Sequence, residues 1–129
     1  MEVVAFNREN HLELVSEWLK ARGMNELLAQ EVPQFGYICF NNHEAICAGF
    51  LRKVEGGYMF MDSLITNPIA KPELRNKAID VVVTELIESA KDLQVTKILA
   101  YSTDINTLER SKKHGFRAYP ENVVIGLEL

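Results

Sequence analysis

The feature that most constrains this 129-residue chain is an apolar stripe between residues 72 and 93. Leu74, Ala78, Val82, Leu86 and Ala90 recur every four residues, and Ile79, Val83 and Ile87 widen the band. That period predicts a long helix. Pro72 suits its first turn, and Glu73 suits its positive end. A stripe this wide needs a broad apolar surface to lie on, and the residues before it supply a sheet.

Gly36 to Phe40 is apolar and aromatic, Asn41-Asn42-His43 makes a turn, and Glu44 to Val54 reads as a strand. Glu55-Gly56-Gly57 makes a second turn before a strand over Tyr58 to Thr66. Tight turns between such runs predict an antiparallel meander. Upstream, Glu2 to Phe6 reads as a first strand. Asn7 or Asn10 can cap a helix running to about Arg22, where Leu12, Val15 and Leu19, widened by Leu14 and Trp18, give the stripe and Gly23 the stop. A short second helix is expected over Asn25 to Glu31, ending before Pro33. Downstream, Lys97 to Ser102 reads as a buried strand. Thr103 or Asp104 can cap a helix over Ile105 to His114, which Gly115 ends. Phe116 to Tyr119 and Asn122 to Leu127 are expected to return as strands. The order β-α-α-β-β-β-α-β-α-β-β predicts an α/β (α+β) fold: one domain over residues 1–129, with a mixed, mostly antiparallel central sheet and helices on both faces.

Composition excludes several function classes. Hydrophobic residues at 47% and charged residues at 25% exclude extensive disorder. A net charge of -4 argues against a nucleic-acid partner, which calls for a basic face. Lys71, Arg75 and Lys77, and separately Arg110, Lys112, Lys113 and Arg117, are basic clusters whose plain reading is solvated helix surface. Cys39 and Cys47 have no metal-ligand spacing, so no metal is expected; their spacing allows a disulfide, and free buried thiols are the favoured expectation. No segment approaches a membrane span and no signal peptide is evident, which predicts a cytoplasmic protein with no membrane partner. Asn122 to Leu127 is apolar enough to pair across a homodimer or to finish the sheet of a monomer.

Two segments carry a resemblance beyond element order. One runs from Asp62 to Asp80: Asp-Ser-Leu-Ile-Thr-Asn-Pro, then Pro-Glu-Leu-Arg-Asn-Lys-Ala-Ile-Asp. The other runs from Asp104 to Phe116 and ends Lys-His-Gly-Phe. Together they resemble the GNAT superfamily of N-acyltransferases: its strand ending acidic-x-Leu-x-Val-x-Pro, its Arg/Gln-x-x-Gly-x-Gly/Ala loop and its Lys-x-Gly-Phe ending. The chain is also similar to a divergent branch common in phage genomes, where Arg-x-x-Ala-x-Asp replaces the glycine loop. For a phage-encoded chain the compartment would be the host cytoplasm or the virion.

The resemblance implies an acetyl-CoA-dependent transfer of an acetyl group to an amine acceptor, small molecule or protein, by direct attack. It implies Asp62 as general base and backbone pairing of Leu64, Ile65 and Thr66 with pantetheine amides. Arg75, Asn76, Lys77, Ala78 and Asp80 would form the diphosphate loop, and Asn106 and Ser111 would complete the cofactor set. Three departures stand out. Ala78 and Asp80 replace small loop residues, and a carboxylate roughly 4 Å from a phosphate opposes binding by up to about 4 kcal/mol at a dielectric near 20. Ser111 stands where the family carries a general-acid tyrosine. The stretch from Pro68 to Arg75 is longer than the family's, so Arg75 to Asp80 are expected a turn inside the helix. These departures motivate a second expectation, a GNAT-fold binding or assembly protein without turnover.

Overall fold

In the computed structural model, which describes residues 1–102, 104–119 and 127, the apolar stripe becomes a helix lying on a five-stranded sheet. The elements are β1 (Glu2–Ala5), α1 (Arg8–Ala21), β2 (Phe35–Asn41), β3 (Glu44–Val54), β4 (Tyr58–Thr66), α2 (Pro72–Asp92), β5 (Lys97–Leu99) and α3 (Ile105–Lys113). The sheet order is β1-β2-β3-β4-β5, antiparallel except for the parallel β4–β5 pair. The mixed, mostly antiparallel sheet matches the sequence expectation.

Each face of the sheet buries one helix, because side chains alternate along the strands. On one face Ala78, Val82, Leu86 and Ala90 of α2 pack with Cys39, Cys47, Leu51 and Met59. On the other, Val15, Trp18 and Leu19 of α1 pack with Ile38, Ala48, Phe50 and Ile65. Asn7 is the N-cap of α1, its Oδ1 accepting from the Asn10 N–H at 3.1 Å. Gly23, at φ 70°, turns the chain away from the helix end.

The structure corrects the sequence reading at three places. The helix expected over Asn25 to Glu31 is a single 3-10 turn at Ala29–Glu31. Met24 and Leu28 are exposed there, so the segment has no apolar stripe to hold a helix down. The strand expected to reach Ser102 stops at Leu99, because its partner β4 turns away. Phe116 to Tyr119 joins no strand. At the start of α3 the Asp104 carboxylate accepts from the Thr107 N–H at 2.9 Å, while Thr103 lies outside the described residues. The strand expected over Asn122 to Leu127 lies outside them too, apart from Leu127.

Candidate functional site

The site begins with a fault in the β3–β4 ladder. Ala48 pairs with Ile65 and Phe50 with Asp62, so Gly49 alone faces Ser63 and Leu64. Ser63 takes φ 53° to accommodate the extra residue. A Cβ on Gly49 would stand 2.9 Å from Leu64 Cδ1 and 3.0 Å from Val82 Cγ1, so only glycine lets α2 and the bulge close over this point.

The bulge bends β4 away from β5. The two strands pair only from Tyr58–Lys97 to Phe60–Leu99. Beyond Phe60 they separate, and a cavity of about 530 Å³ opens between them. β4 forms its floor from Phe60 to Thr66, Ile79 and Val83 of α2 form one wall, and Arg110, Ser111 and His114 of α3 form the other. The Asn67 N–H bonds to Ile46 O on β3 at 2.8 Å. Alternation along an antiparallel ladder therefore turns the backbone groups of Leu64 and Thr66 to the other edge, toward the cavity.

Asp62 stands where β4 leaves its partner. Its Oδ2 accepts from Arg52 Nε at 3.1 Å and pairs with Arg52 Nη2 at 3.0 Å. Its Oδ1 accepts from the Ser63 hydroxyl at 3.2 Å. Arg52 Nη2 also donates to Glu31 O at 3.2 Å, so the guanidinium that orients Asp62 is itself tied to the segment after α1.

α2 starts at Pro72, with Lys71 as its cap, and its first helical bond is Arg75 N–H to Lys71 O at 3.0 Å. The N–H groups left open at its positive end are those of Glu73 and Leu74. Asn76, Lys77, Ala78 and Asp80 lie within the helix, with their backbone donors inside it. Ala78 is fully buried under the sheet and Lys77 is exposed. Asn76 and Asp80 meet α3 instead: Arg110 Nη2 donates to Asn76 Oδ1 at 2.7 Å, and His114 Nε2 lies 2.9 Å from Asp80 Oδ1. Arg75 turns back and donates to Pro68 O at 3.1 Å.

Ile65 faces the α1 core while its neighbours face the cavity. Thr66 is held by Arg22 of the α1 C-cap, which donates to its carbonyl and, at 2.8 Å, to its hydroxyl. Ser111 lines the cavity, but its hydroxyl donates to Leu108 O at 2.6 Å. Asn106 is exposed and outside the lining. The structure thus gathers Asp62, Leu64, Thr66 and Ser111 around one cavity and sets Asn76, Lys77, Ala78 and Asn106 apart from it.

Sequence reasoning left His114 out and treated Arg110 as surface. A signal was present: Arg110 and His114 are spaced four apart, as are Asn76 and Asp80, and such pairs share a helix face. Arg22 had no local signal, because its role depends on where α1 ends relative to β4.

No protein-family model matches the chain, and no curated protein sequence does. Solved structures do. An acetyltransferase of Trypanosoma brucei superposes with TM-score 0.72 at 15% identity, over 98% of this chain and 99% of that one. A GNAT family acetyltransferase of Streptococcus pneumoniae gives 0.73 at 16% identity, over 99% of this chain and 97% of that one. The ribosomal-protein-S18-alanine N-acetyltransferase of Escherichia coli gives 0.73 at 9% identity, over 90% of this chain and 77% of that one. The fold is that of the GNAT acetyltransferases.

Proposed function

We propose that this GNAT-fold chain is an acetyl-CoA-dependent N-acetyltransferase that moves an acetyl group to an amine acceptor by direct attack. The observation that carries the reading is the edge of β4 beyond Phe60, which has no strand partner among the described residues and faces a cavity of about 530 Å³. A strand edge with open N–H and C=O groups suits the amides of a pantetheine arm, and Leu64 presents such groups. The open N–H groups of Glu73 and Leu74, with the Arg75 guanidinium beside them, suit a diphosphate. Acetyl-CoA, when bound, supplies an acyl group activated as a thioester.

Asp62 lies on the cavity floor. An amine that attacks the thioester carbonyl would form an N–C bond as the C–S bond breaks and CoA departs as a thiolate; the amine must also lose a proton, and Asp62 would accept it, directly or through water. Arg52 and the Ser63 hydroxyl hold the carboxylate in place. A second reading, a GNAT-fold binding module without turnover, is favoured by the commitment of the Ser111 hydroxyl to Leu108 O. That bond leaves no evident acid at the tyrosine position.

Calorimetric titration of acetyl-CoA and free CoA into the purified protein tests the proposal. Micromolar binding is expected, followed by acetyl transfer in a screen of small-molecule and peptide amines. Absence of binding at millimolar ligand overturns it and favours the binding module.

A further inference from the structure

Arg22 comes from the helix on the far face of the sheet, yet its guanidinium reaches the cavity edge of β4. It grips Thr66 through both the carbonyl and the hydroxyl. Its remaining N–H donors have no partner among the described residues. Arg75, fixed on Pro68 O, stands close enough for its charge to act on Arg22. The two guanidiniums hold carbonyls only two residues apart, Thr66 O and Pro68 O, and the Arg22 pKa is lowered, first by burial and then by the charge of Arg75. Neither has a carboxylate partner among the described residues. Two guanidiniums held at one end of a strand without a counter-charge repel one another, and a dianionic group between them reverses that penalty.

Resting on the acetyl-CoA reading, we infer that Arg22 is a phosphate-binding residue contributed by α1, which with Arg75 clamps the diphosphate of the cofactor at the Thr66 end of β4. It supplies charge that the helical Asn76–Asp80 segment does not. A planar fork oriented by Thr66 suits bidentate phosphate recognition better than an ammonium would.

The test compares CoA with pantetheine, which lacks the phosphates, by calorimetry on wild type and on Arg22→Gln, Arg22→Lys and Thr66→Val. Arg22→Gln weakens CoA by about tenfold or more and leaves pantetheine unchanged. It also flattens the loss of CoA affinity with added salt. Arg22→Lys restores only part of the affinity, and Thr66→Val, which keeps the charge but loosens its grip, falls between wild type and Arg22→Gln. If wild type binds CoA and Arg22→Gln binds it equally well, the inference fails and the acetyl-CoA reading stands. If Arg22→Gln binds CoA more tightly, Arg22 is a plug on the strand edge, and the inference is likewise overturned. If wild type binds neither ligand, the acetyl-CoA reading itself fails.

Discussion

Nε2 of His114 lies 2.9 Å from Oδ1 of Asp80, and one turn back on both helices Arg110 Nη2 lies 2.7 Å from Oδ1 of Asn76. These rungs tie α3 to α2 and set the width of the cavity. They also explain the carboxylate at Asp80, which is turned to a histidine. A double-mutant cycle on Asp80→Ala and His114→Ala should give a coupling of about 0.5–1 kcal/mol by denaturant unfolding, small because Asp80 is half exposed. Strictly additive losses would mean that the contact contributes nothing.

Asp62→Asn keeps the shape of the side chain and removes its ability to take a proton. The rate at saturating acetyl-CoA should fall by about a hundredfold or more, with CoA affinity unchanged by calorimetry. An unchanged rate would leave Asp62 as a structural partner of Arg52.

Gly36 is required by the Phe50 ring. A Cβ there would stand 2.3 Å from Phe50 Cδ1, and the ring is fully buried edge-on against Phe6 at 4.8 Å. Gly36→Ala should cost about 1–3 kcal/mol, read as a lower unfolding midpoint at the same denaturant slope.

His11 sits between Phe6 and Phe40, and its Nδ1 accepts the Asn7 N–H at 2.9 Å. Burial lowers its pKa from the usual 6.5. A base whose folded pKa lies below its unfolded one binds more protons when unfolded across that interval. Its contribution is therefore complete above pH about 6.5 and is lost as pH falls toward the folded value. Thermal midpoints from pH 8 to 5 should decline in the acid half, and His11→Phe should flatten that decline. An unchanged slope in the variant would move the effect elsewhere.

Cys39 and Cys47 face each other in the β2–β3 register, buried and free. Burial pushes both thiols above the ordinary range, Cys47 strongly. Both should resist alkylation in the native protein at pH 8 and react at once in denaturant. Rapid native labelling of Cys47 would show that the α2 face opens.

The meander, the long helix and the capping of α1 and α3 were legible because each rests on local chemistry: alternation, a four-residue stripe, Asn7, Asp104 and Gly23. The short helix before Pro33 was misread because its composition is helical while Met24 and Leu28 stay exposed and only Leu27 packs on the core. The cavity residues were legible only in part. Asp62, Leu64 and Thr66 lie on one strand at a recognisable distance from Pro68. What gives them meaning comes from elsewhere: Arg52 on Asp62 from the adjacent strand, Arg22 on Thr66 from the opposite face, and the facing cavity wall, where Arg110 and His114 bond Asn76 and Asp80 from more than thirty residues on in sequence. Spacing along a chain reports which residues share an element. Which elements meet is decided by packing.

The kink at Ser63 also bears on what the edge of β4 can pair with. An open strand edge is a template on which a second chain can grow, and among the described residues β4 carries one from Met61 to Ile65, beyond which Arg22 holds the Thr66 carbonyl. A straight edge there would offer donors and acceptors at the regular pitch an incoming strand needs. The left-handed residue breaks that pitch midway, so a regular strand cannot continue its ladder past Ser63. Straightening the bulge by deleting one residue at Ser63–Leu64 would thus endanger solubility as well as the cavity.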